Sequence, residues 1–358
     1  MKQGWEIKKL GQVCDIINGR NQKMVECVDG AYPIYGSGGI MGYASQFLCK
    51  AGTTIIGRKG TINKPIYVEE PFWNVDTAFG FQPKSTLNSK LLYYFCLHFD
   101  FLKLNKGTTI PSLVKADLLQ IDMPYTPSIA EQQRIVEILD REFEKIDALK
   151  ANAERSLQQA KDLFQSALKQ ELQPKEGWKK KTINELSEQL FAGGDVPKNA
   201  MSKTKTEEYD VPIYANAVEN NGLYGYTNMA RVYTPSITIA GRGSGTGYVI
   251  ERTEPYLPVV RLIVIVPQES EVKNRFLYYA LKSLNIKSNG SAIPQLTVPM
   301  IAQYSINYPK IELQDYIIKK LDILNEHCKA LDENYTKTMA LCDDIKQALL
   351  RQAFNGEL

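Results

Sequence analysis

The sequence predicts an α+β protein in which two long antiparallel coiled-coil helices separate two tandem strand-rich domains. The two halves of this internal repeat are expected to be related by pseudo-twofold symmetry. Three observations support this prediction. Short motifs recur in the same order along the chain, the recurring parts are rich in glycine and β-prone residues, and the parts between them carry an apolar heptad pattern.

The clearest repeat is an Ile-Pro-x-Leu motif, which occurs at 110–113 and again at 293–296. Other motif pairs keep the same order on the N-terminal and C-terminal sides of it. They are GWEIKKLGQV at 4–13 with GWKKKTINEL at 177–186, GTTIIGRKG at 52–60 with SITIAGRGS at 236–244, LLYYF at 91–95 with FLYYA at 276–280, and IVEILD at 135–140 with IIKKLD at 317–322. A repeat of this length indicates duplication of a whole domain rather than a short solenoid unit.

Each half of the repeat has two parts of different composition. Residues 1–126 and 174–309 contain much glycine, tyrosine, threonine and proline, with short β-prone runs such as TTIIG and SITIA, so we predict two strand-rich domains there. Residues 127–173 and 310–358 contain almost no glycine or proline and are dense in good helix formers, so we predict two helical spacers.

Both spacers carry apolar or small residues at intervals of about 3.5 residues, which is the coiled-coil pattern. The first seam is Ile135, Leu139, Phe143, Ile146, Leu149, Ala153, Leu157, Ala160, Phe164 and Ala167. The second seam is Ile317, Leu321, Leu324, Cys328, Leu331, Tyr335, Thr338, Cys342, Ile345 and Leu349. Because each seam needs a partner helix, we expect the two spacers to pair with each other.

Composition limits the classes of protein that fit. The chain has 358 residues, of which 44% are hydrophobic, so it can bury proper cores. Its net charge of +3 is compatible with a nucleic-acid partner but does not require one. The six cysteines form no CxxC pair and follow no secretory leader, which predicts reduced thiols in a cytoplasmic protein. No apolar run approaches the roughly 20 residues that span a bilayer, so no membrane partner is expected.

Taken together, the duplicated motifs resemble the specificity subunit of Type I restriction-modification systems over essentially the whole chain. The resemblance rests on the opening GWEIKKLGQV, GSGGIMGY at 36–43, KGTTIPSL at 106–113, PYTPSIAEQQRIVEILD at 124–140 and the closing LLRQAFNGEL at 349–358. It implies two target-recognition domains, each of which binds one half of a split sequence in double-stranded DNA. It also implies helical spacers that dock methyltransferase subunits, two in number, and a larger complex with restriction/translocase subunits.

The second half of the repeat departs from the first at two motifs. The position of GSGG is occupied by ANAVENNGLYGY at 215–226, and GRKG is replaced by GRGS, which has one cation fewer. Two domains that recognise different half-sites would need such divergence.

No catalytic chemistry is predicted for this chain. His98 and His327 lack partners at the spacing of a metal or catalytic site, so we interpret both as structural and expect no metal. GTTIIGRKGT does not complete the G-x-x-x-x-G-K-[ST] pattern of a phosphate loop, and no cofactor is expected. We also find no amino-methyltransferase tetrapeptide and no nuclease-like acidic and lysine cluster, so methylation and cleavage would belong to partners.

Candidate DNA-binding residues lie in two segments of each half. Cations can neutralise phosphate, and polar side chains can bond base edges, so cationic and polar residues of glycine-rich loops are the candidates. The candidates in the first half are Arg58, Lys59, Lys64, Lys106, Thr108, Thr109 and Ser112. Those in the second half are Arg242, Ser244, Asn289, Ser291 and Gln295.

Structural explanations compete with binding at some positions. Ile110, Pro111 and Leu113 could equally anchor a loop on the core of the domain. The tyrosine pairs at 93–94 and 278–279 lie in helix-like apolar runs and are predicted to be core residues rather than platforms for stacked bases.

Two other classes of function remain open from the sequence. A non-catalytic scaffold with duplicated protein-binding domains would bind DNA without sequence preference or not at all. An enzyme with a centre confined to one half would show turnover in isolation.

Overall fold

The computed structural model describes residues 4–243, 245–284, 286 and 295–358. The chain divides into two compact units. Unit 1 comprises Met1–Glu154 and Tyr335–Leu358, and unit 2 comprises Arg155–Asn334. Each unit is a mixed α/β structure that includes a segment of both long helices.

The strand-rich part of unit 1 contains three small sheets. Its strands are β1 Glu6–Lys9, β2 Cys14–Asn18, β3 Tyr32–Gly36, β4 Gly39–Ala44, β5 Thr53–Gly57, β6 Ile66–Val68, β7 Trp73–Asn74, β8 Ala78–Pro83 and β9 Asp122–Tyr125. The sheet orders are β1-β9, β2-β8-β5-β6 and β4-β3-β7. All pairs are antiparallel except β3 with β7, which is parallel. The helices are α1 Leu10–Val13, α2 Ser89–His98, α3 Lys115–Leu119 and α4 Ile129–Glu171.

Unit 2 repeats this topology strand for strand among its described residues. Its strands are β10 Lys179–Thr182, β11 Ser187–Ala192, β12 Val211–Tyr214, β13 Leu223–Thr227, β14 Ser236–Ile239, β15 Val249–Arg252, β16 Leu257–Pro258, β17 Ile263–Pro267 and β18 Ser305–Tyr308. The sheet orders are β10-β18, β11-β17-β14-β15 and β13-β12-β16. The helices are α5 Asn274–Ser283, α6 Val298–Ala302 and α7 Ile311–Asn355.

Strand burial explains the composition of the repeated motifs. Strand β5 is buried at all five positions, so its TTIIG sequence does not alternate apolar with polar residues. Strand β17, with the sequence IVIVP, is likewise buried throughout. In both units one of the two inner strands of the four-stranded sheet therefore has side chains packed on both faces.

Each long helix begins with a buried glutamine that ties it to the strand-rich part of its unit. The side chain of Gln132 is fully buried, accepts a hydrogen bond from the Asn88 amide at 2.7 Å, and donates to the carbonyls of Thr86 and Thr126 at 3.0 and 2.8 Å. Gln314 repeats the pattern in unit 2, where it accepts from the Lys273 amide and donates to two carbonyls. These contacts fix where the helix leaves each strand-rich part.

The two long helices run antiparallel within each unit. In unit 1, Lys150 of α4 pairs with Asp343 of α7 at 2.7 Å, and Asp147 pairs with Lys346. In unit 2, Lys161 pairs with Asp332 at 3.3 Å, and Glu171 pairs with Lys320. In both units residue numbers rise along one helix as they fall along the other.

The heptad seams are only partly buried. Near the strand-rich parts, Leu139 and Leu321 are at most 1% exposed. By contrast, Leu149 is 51% exposed, and Leu331 and Ile345 are each 39% exposed. The seam residues Ala153, Ala160 and Cys342, which also lie in the middle of the helices, are at most 7% exposed, so solvent reaches single seam positions rather than the whole middle of each helix.

The core of each unit includes residues from both long helices. In unit 1, Val136 and Leu139 of α4 and Leu350 and Phe354 of α7 belong to one cluster with the buried residues of the first strand-rich part. In unit 2, Phe164 and Leu168 of α4 and Ile317 and Leu321 of α7 do the same.

The prediction that the tyrosine pairs are core residues is confirmed for the second member of each pair. Tyr94 and Tyr279 are at most 4% exposed, and their hydroxyls donate to Asp140 and Asp322 of the long helices. Burial raises the pKa of both phenols, and the neighbouring carboxylates add to the effect. Tyr93 and Tyr278 are half-buried. The buried pair members are thus core residues that connect a short helix to a long one.

Candidate nucleic-acid interface

The first candidate loop follows the buried strand β5. A Cβ atom at Gly57 would lie 2.1 Å from the Thr61 carbonyl oxygen, so glycine is needed where the chain turns. Gly60 has a φ of 80°, a conformation that favours glycine. Between them, Arg58 and Lys59 are exposed. The buried strand thus delivers two cations to the surface of unit 1.

The second candidate segment lies directly beside the first. Lys59 and Ser112 form an antiparallel β-bridge, the Gly60 amide donates to the Pro111 carbonyl at 2.9 Å, and the Leu113 amide donates to the Arg58 carbonyl at 2.9 Å. The two segments were predicted separately from the sequence. The structure brings them together.

Unit 2 repeats this bridge. Arg242 and Gln295 form an antiparallel β-bridge, and the Leu296 amide donates to the Gly241 carbonyl at 2.8 Å. Leu113 and Leu296 are 3% and 4% exposed, so the Leu of each Ile-Pro-x-Leu motif anchors its loop on the core. Ile110 is 60% exposed and is not an anchor. The competing structural explanation therefore holds for the leucines and is wrong for Ile110.

The other candidates of unit 1 lie on the turn before the bridge or nearby. Thr108 and Thr109 are exposed at the tip of this turn, which Asn105 closes by accepting from the Gly107 and Ser112 amides, both at 2.9 Å. Lys106 is exposed, but its ammonium lies 3.6 Å from Asp117, so part of its charge is compensated. Lys64 is exposed with no ion pair among the residues that the structure covers.

The candidates of unit 2 are only partly described. Arg242 and Gln295 are exposed and line a cavity of about 410 Å³, which we call the unit 2 cavity. Ser244, Asn289 and Ser291 lie outside the described residues.

A third segment is hydrogen-bonded to the candidate loops in each unit, and it was not predicted from the sequence. In unit 1 it is the turn after β7, where the Thr77 carbonyl accepts from the amides of Arg58 and Lys59 at 2.8 and 3.2 Å. The Arg58 guanidinium also reaches the Asp76 carbonyl at 3.4 Å. Neither residue belongs to a recognisable motif.

The corresponding turn of unit 2 follows β16 and contains Val260 and Arg261, both exposed. Asn216 connects this turn to the candidate loop, because its side chain donates to the Val260 carbonyl and accepts from the Gly241 amide. Asn216 lies in the ANAV sequence that replaces GSGG. The divergence of this motif was the signal that could have identified the residue.

A buried arginine supports the loop at 219–222. Arg252 is 5% exposed, its guanidinium lies 3.5 Å from the centre of the Tyr214 ring, and it donates to the Asn221 carbonyl at 2.6 Å. Burial lowers the pKa of Arg252 and raises that of Tyr214 to about 12. Asn220 and Asn221 have positive φ angles, so this contact holds a turn of unusual geometry in place.

A cavity of about 580 Å³ in unit 1 has a lining that is unsuited to a polyanion. It contains Glu69, Glu70 and Asp140 against a single cation, Lys90, which pairs with Asp140 at 2.9 Å.

The described residues show no group of three or more His, Cys, Asp or Glu side chains placed to hold a metal ion. His98 is half-buried and stacks on Phe354 with 5.4 Å between the ring centres, and burial lowers its pKa. No helix within the described part of the chain has the length and apolar character to cross a membrane.

Comparison with known proteins gives consistent matches. A Mycoplasma pneumoniae protein named as a type I specificity subunit is 37% identical over 151 residues, which are 42% of this chain and 44% of that protein. The Type I restriction enzyme EcoDI specificity subunit of Escherichia coli is 29% identical over 158 residues, or 40% of this chain and 34% of the relative. The matched region thus spans less than half the length of these two curated relatives.

Solved structures show the same fold. One, from a study of complex assembly and conformational transition of the type I R-M system, covers all of this chain and 99% of its own with a TM-score of 0.79 and 16% identity. The HsdS subunit from Thermoanaerobacter tengcongensis covers 100% of this chain and 98% of its own, with a TM-score of 0.52 and 16% identity.

The profile of one family matches twice, and its two matches correspond to the two halves of the repeat. They extend over residues 2–159 and 175–338, which is most of the chain. The chain therefore belongs to the family of the Type I restriction modification DNA specificity domain, of which it carries two copies.

Proposed function

We propose that the protein is a sequence-specific DNA-binding specificity subunit that recognises a bipartite target in double-stranded DNA. The observation that carries the proposal is the duplicated bridge between a cation-bearing glycine loop and the Ile-Pro-x-Leu segment, Lys59 with Ser112 and Arg242 with Gln295. Loops of this kind can place cations on phosphates and side chains on base edges. Two copies with different side chains would recognise two different half-sites.

The two recognition domains are residues 1–126 and 174–309 in this proposal, and the spacers are 127–173 and 310–358. The spacers form an antiparallel coiled coil that gives the internal repeat its pseudo-twofold symmetry. The antiparallel ion pairs within each unit support this, as does the identical strand order of the two units. The helices would set the number of unrecognised base pairs between the half-sites.

The protein itself is non-catalytic in this proposal and directs other subunits to the target. Its proposed partners are two methyltransferase subunits and the restriction/translocase subunits, and the proposal is supported by a relative that is named as the specificity subunit of a Type I restriction enzyme. Methylation and cleavage would be carried out by those partners.

The test is to express the full chain with a methyltransferase subunit of its system and to map methylated adenines across the genome by single-molecule sequencing. We expect a split motif with a fixed gap. Substitution of Arg58 by Gln should weaken or alter one half of that motif only, because Arg58 lies in unit 1.

A matched control is Arg141→Gln, which removes an exposed arginine of α4 that already pairs with Glu142 at 2.9 Å. This control should leave the motif unchanged. A soluble complex that methylates DNA without a motif would refute the proposed function.

A further inference from the structure

Two consecutive residues of unit 2 have a strained backbone. Val260 and Arg261 have φ angles of 52° and 58°, in the left-handed region. This conformation is uncommon for residues other than glycine and is a clear outlier for a β-branched residue such as valine. Such outliers concentrate at functional sites, where the surrounding structure holds them in place.

The surrounding structure does hold this turn. The Val260 amide donates to the Gly194 carbonyl at 2.8 Å, and the Arg261 amide donates to the Gly193 carbonyl at 3.2 Å. A Cβ at Gly193 would lie 2.6 Å from the carbonyl carbon of Pro258, so glycine allows this close approach. The Asn216 side chain adds a hydrogen bond to the Val260 carbonyl.

The strain is specific to one half of the repeat. The turn after β7 in unit 1 corresponds to this turn after β16 in unit 2. Strand β7 pairs parallel with β3, and β16 pairs parallel with β12 in the same way. The Val75 and Val259 amides, which follow these strands, donate to equivalent tyrosine carbonyls at 3.0 and 2.9 Å. In unit 1 the positions of Val260 and Arg261 are taken by Asp76 and Thr77, and neither has a positive φ.

The strained turn places Arg261 on the wall of the unit 2 cavity. Arg242 and Gln295 line the same cavity, as does Asp195. All four side chains are exposed, and no ion pair involves any of them within the part of the chain that the structure describes. Their donor and acceptor groups are therefore available to a ligand.

This mixture of side chains fits base edges better than phosphate. Arginine bonds guanine bidentately, glutamine bonds adenine bidentately, and a carboxylate accepts from the amino group of cytosine. A carboxylate would repel a phosphate, so Asp195 argues against a site that only clamps the DNA backbone.

We propose that Arg261 is a specificity-determining residue of unit 2, held by the strained turn so that its guanidinium bonds a guanine edge in the half-site recognised by this unit. The inference rests on the proposed function and deepens it. Thr77 at the corresponding position of unit 1 cannot make a bidentate contact with guanine, so the two half-sites would differ at this position.

The experiment is selection of DNA from a randomised double-stranded library by the full-length chain in complex with its methyltransferase subunits. The chains compared are wild type, Arg261→Gln, Arg261→Lys and the control Arg155→Gln, which removes an exposed arginine of α4 in the same unit. Wild type should select a bipartite motif that contains a guanine in one half.

Arg261→Gln should lose preference for that guanine by about 5- to 150-fold and leave the other half-site unchanged, as expected for loss of a bidentate contact. Arg261→Lys should lose most of the preference too, because lysine keeps the charge but lacks the planar fork. Arg155→Gln should keep the wild-type motif. Melting temperatures of all four complexes identify any variant that fails to fold. If Arg261→Gln is such a variant, the comparison of Arg261→Lys with wild type tests the inference.

Three outcomes overturn the inference. An unchanged motif for Arg261→Gln shows that Arg261 does not recognise a base. Weaker binding to all sequences, with a salt slope smaller by about 1, shows that it contacts phosphate instead. A wild-type complex that binds DNA without selecting any motif refutes the proposed function itself, and with it this inference.

Discussion

Substitution of Gln132 by Met should destabilise unit 1 substantially, although it changes neither the charge nor the approximate length of the side chain. Gln132 is fully buried and makes three hydrogen bonds, to the Asn88 amide and to the carbonyls of Thr86 and Thr126. Methionine can make none of them. With a net contribution of about 0.5–1.5 kcal/mol for each bond, the free energy of unfolding should fall by about 3 kcal/mol.

The neighbouring Gln133 provides the control. It is exposed, accepts from the Asn88 side chain at 3.0 Å and donates to Glu137 at 3.1 Å, so Gln133→Met should cost less than about 0.5 kcal/mol. Gln314→Met should reproduce the large effect in unit 2, because Gln314 makes the same three kinds of bond.

Hydrogen exchange followed by mass spectrometry suits this chain, because two units need not unfold in a single transition. Faster exchange is expected at the Asn88 amide in Gln132→Met and at the Lys273 amide in Gln314→Met. Melting temperature should fall by about 6–12 °C for the affected unit. If Gln132→Met and Gln133→Met behave alike, the buried glutamine does not attach the helix to its unit.

Two further predictions concern the spacers and the pH dependence of stability. Deletion of one heptad from each long helix shortens the pair by about 10 Å. The gap between half-sites in the methylation motif should then fall by about three base pairs. An unchanged gap would show that helix length does not set the distance between the half-sites. Hydrogen bonds from the Tyr308 hydroxyl and Lys181 lower the pKa of Glu271 below its usual value of 4.5. The ionised Glu271 carboxylate therefore stabilises the fold above pH 4.5, and this stabilisation is lost as the pH falls further. The difference in melting temperature between wild type and Glu271→Gln should therefore shrink between pH 5 and about pH 3, and a constant difference over this range would contradict the assignment.

The sequence was most informative where a pattern extends over many residues. The duplicated motifs predicted two similar strand-rich parts, and the structure shows the same strand order in both units. The heptads predicted long helices, which extend over Ile129–Glu171 and Ile311–Asn355. Periodicity reports burial along a whole element, so errors at single positions such as Leu149 do not change the assignment.

Local patterns could not reveal how the candidate loops meet. GRKG and the Ile-Pro-x-Leu motif were each noticeable, but their bridge depends on pairing between residues far apart in the sequence. The Val260–Arg261 turn was undetectable, because nothing in a Val-Arg dipeptide indicates a positive φ. The hydrogen bonds that the Val260 and Arg261 amides donate to the Gly194 and Gly193 carbonyls, with the one that Asn216 donates to the Val260 carbonyl, hold that geometry.

The shared use of both long helices also bears on the order in which the protein can fold during synthesis. Unit 2 is one continuous segment, Arg155–Asn334, whereas unit 1 needs Tyr335–Leu358 to complete the core formed by its first 154 residues. Phe354 packs against Phe95 with 5.5 Å between ring centres, so a side chain that is synthesised after the whole of unit 2 completes the core of unit 1. Truncation after Asn334 would consequently open the core of unit 1, which contains Leu350 and Phe354, whereas unit 2 would keep all of its residues.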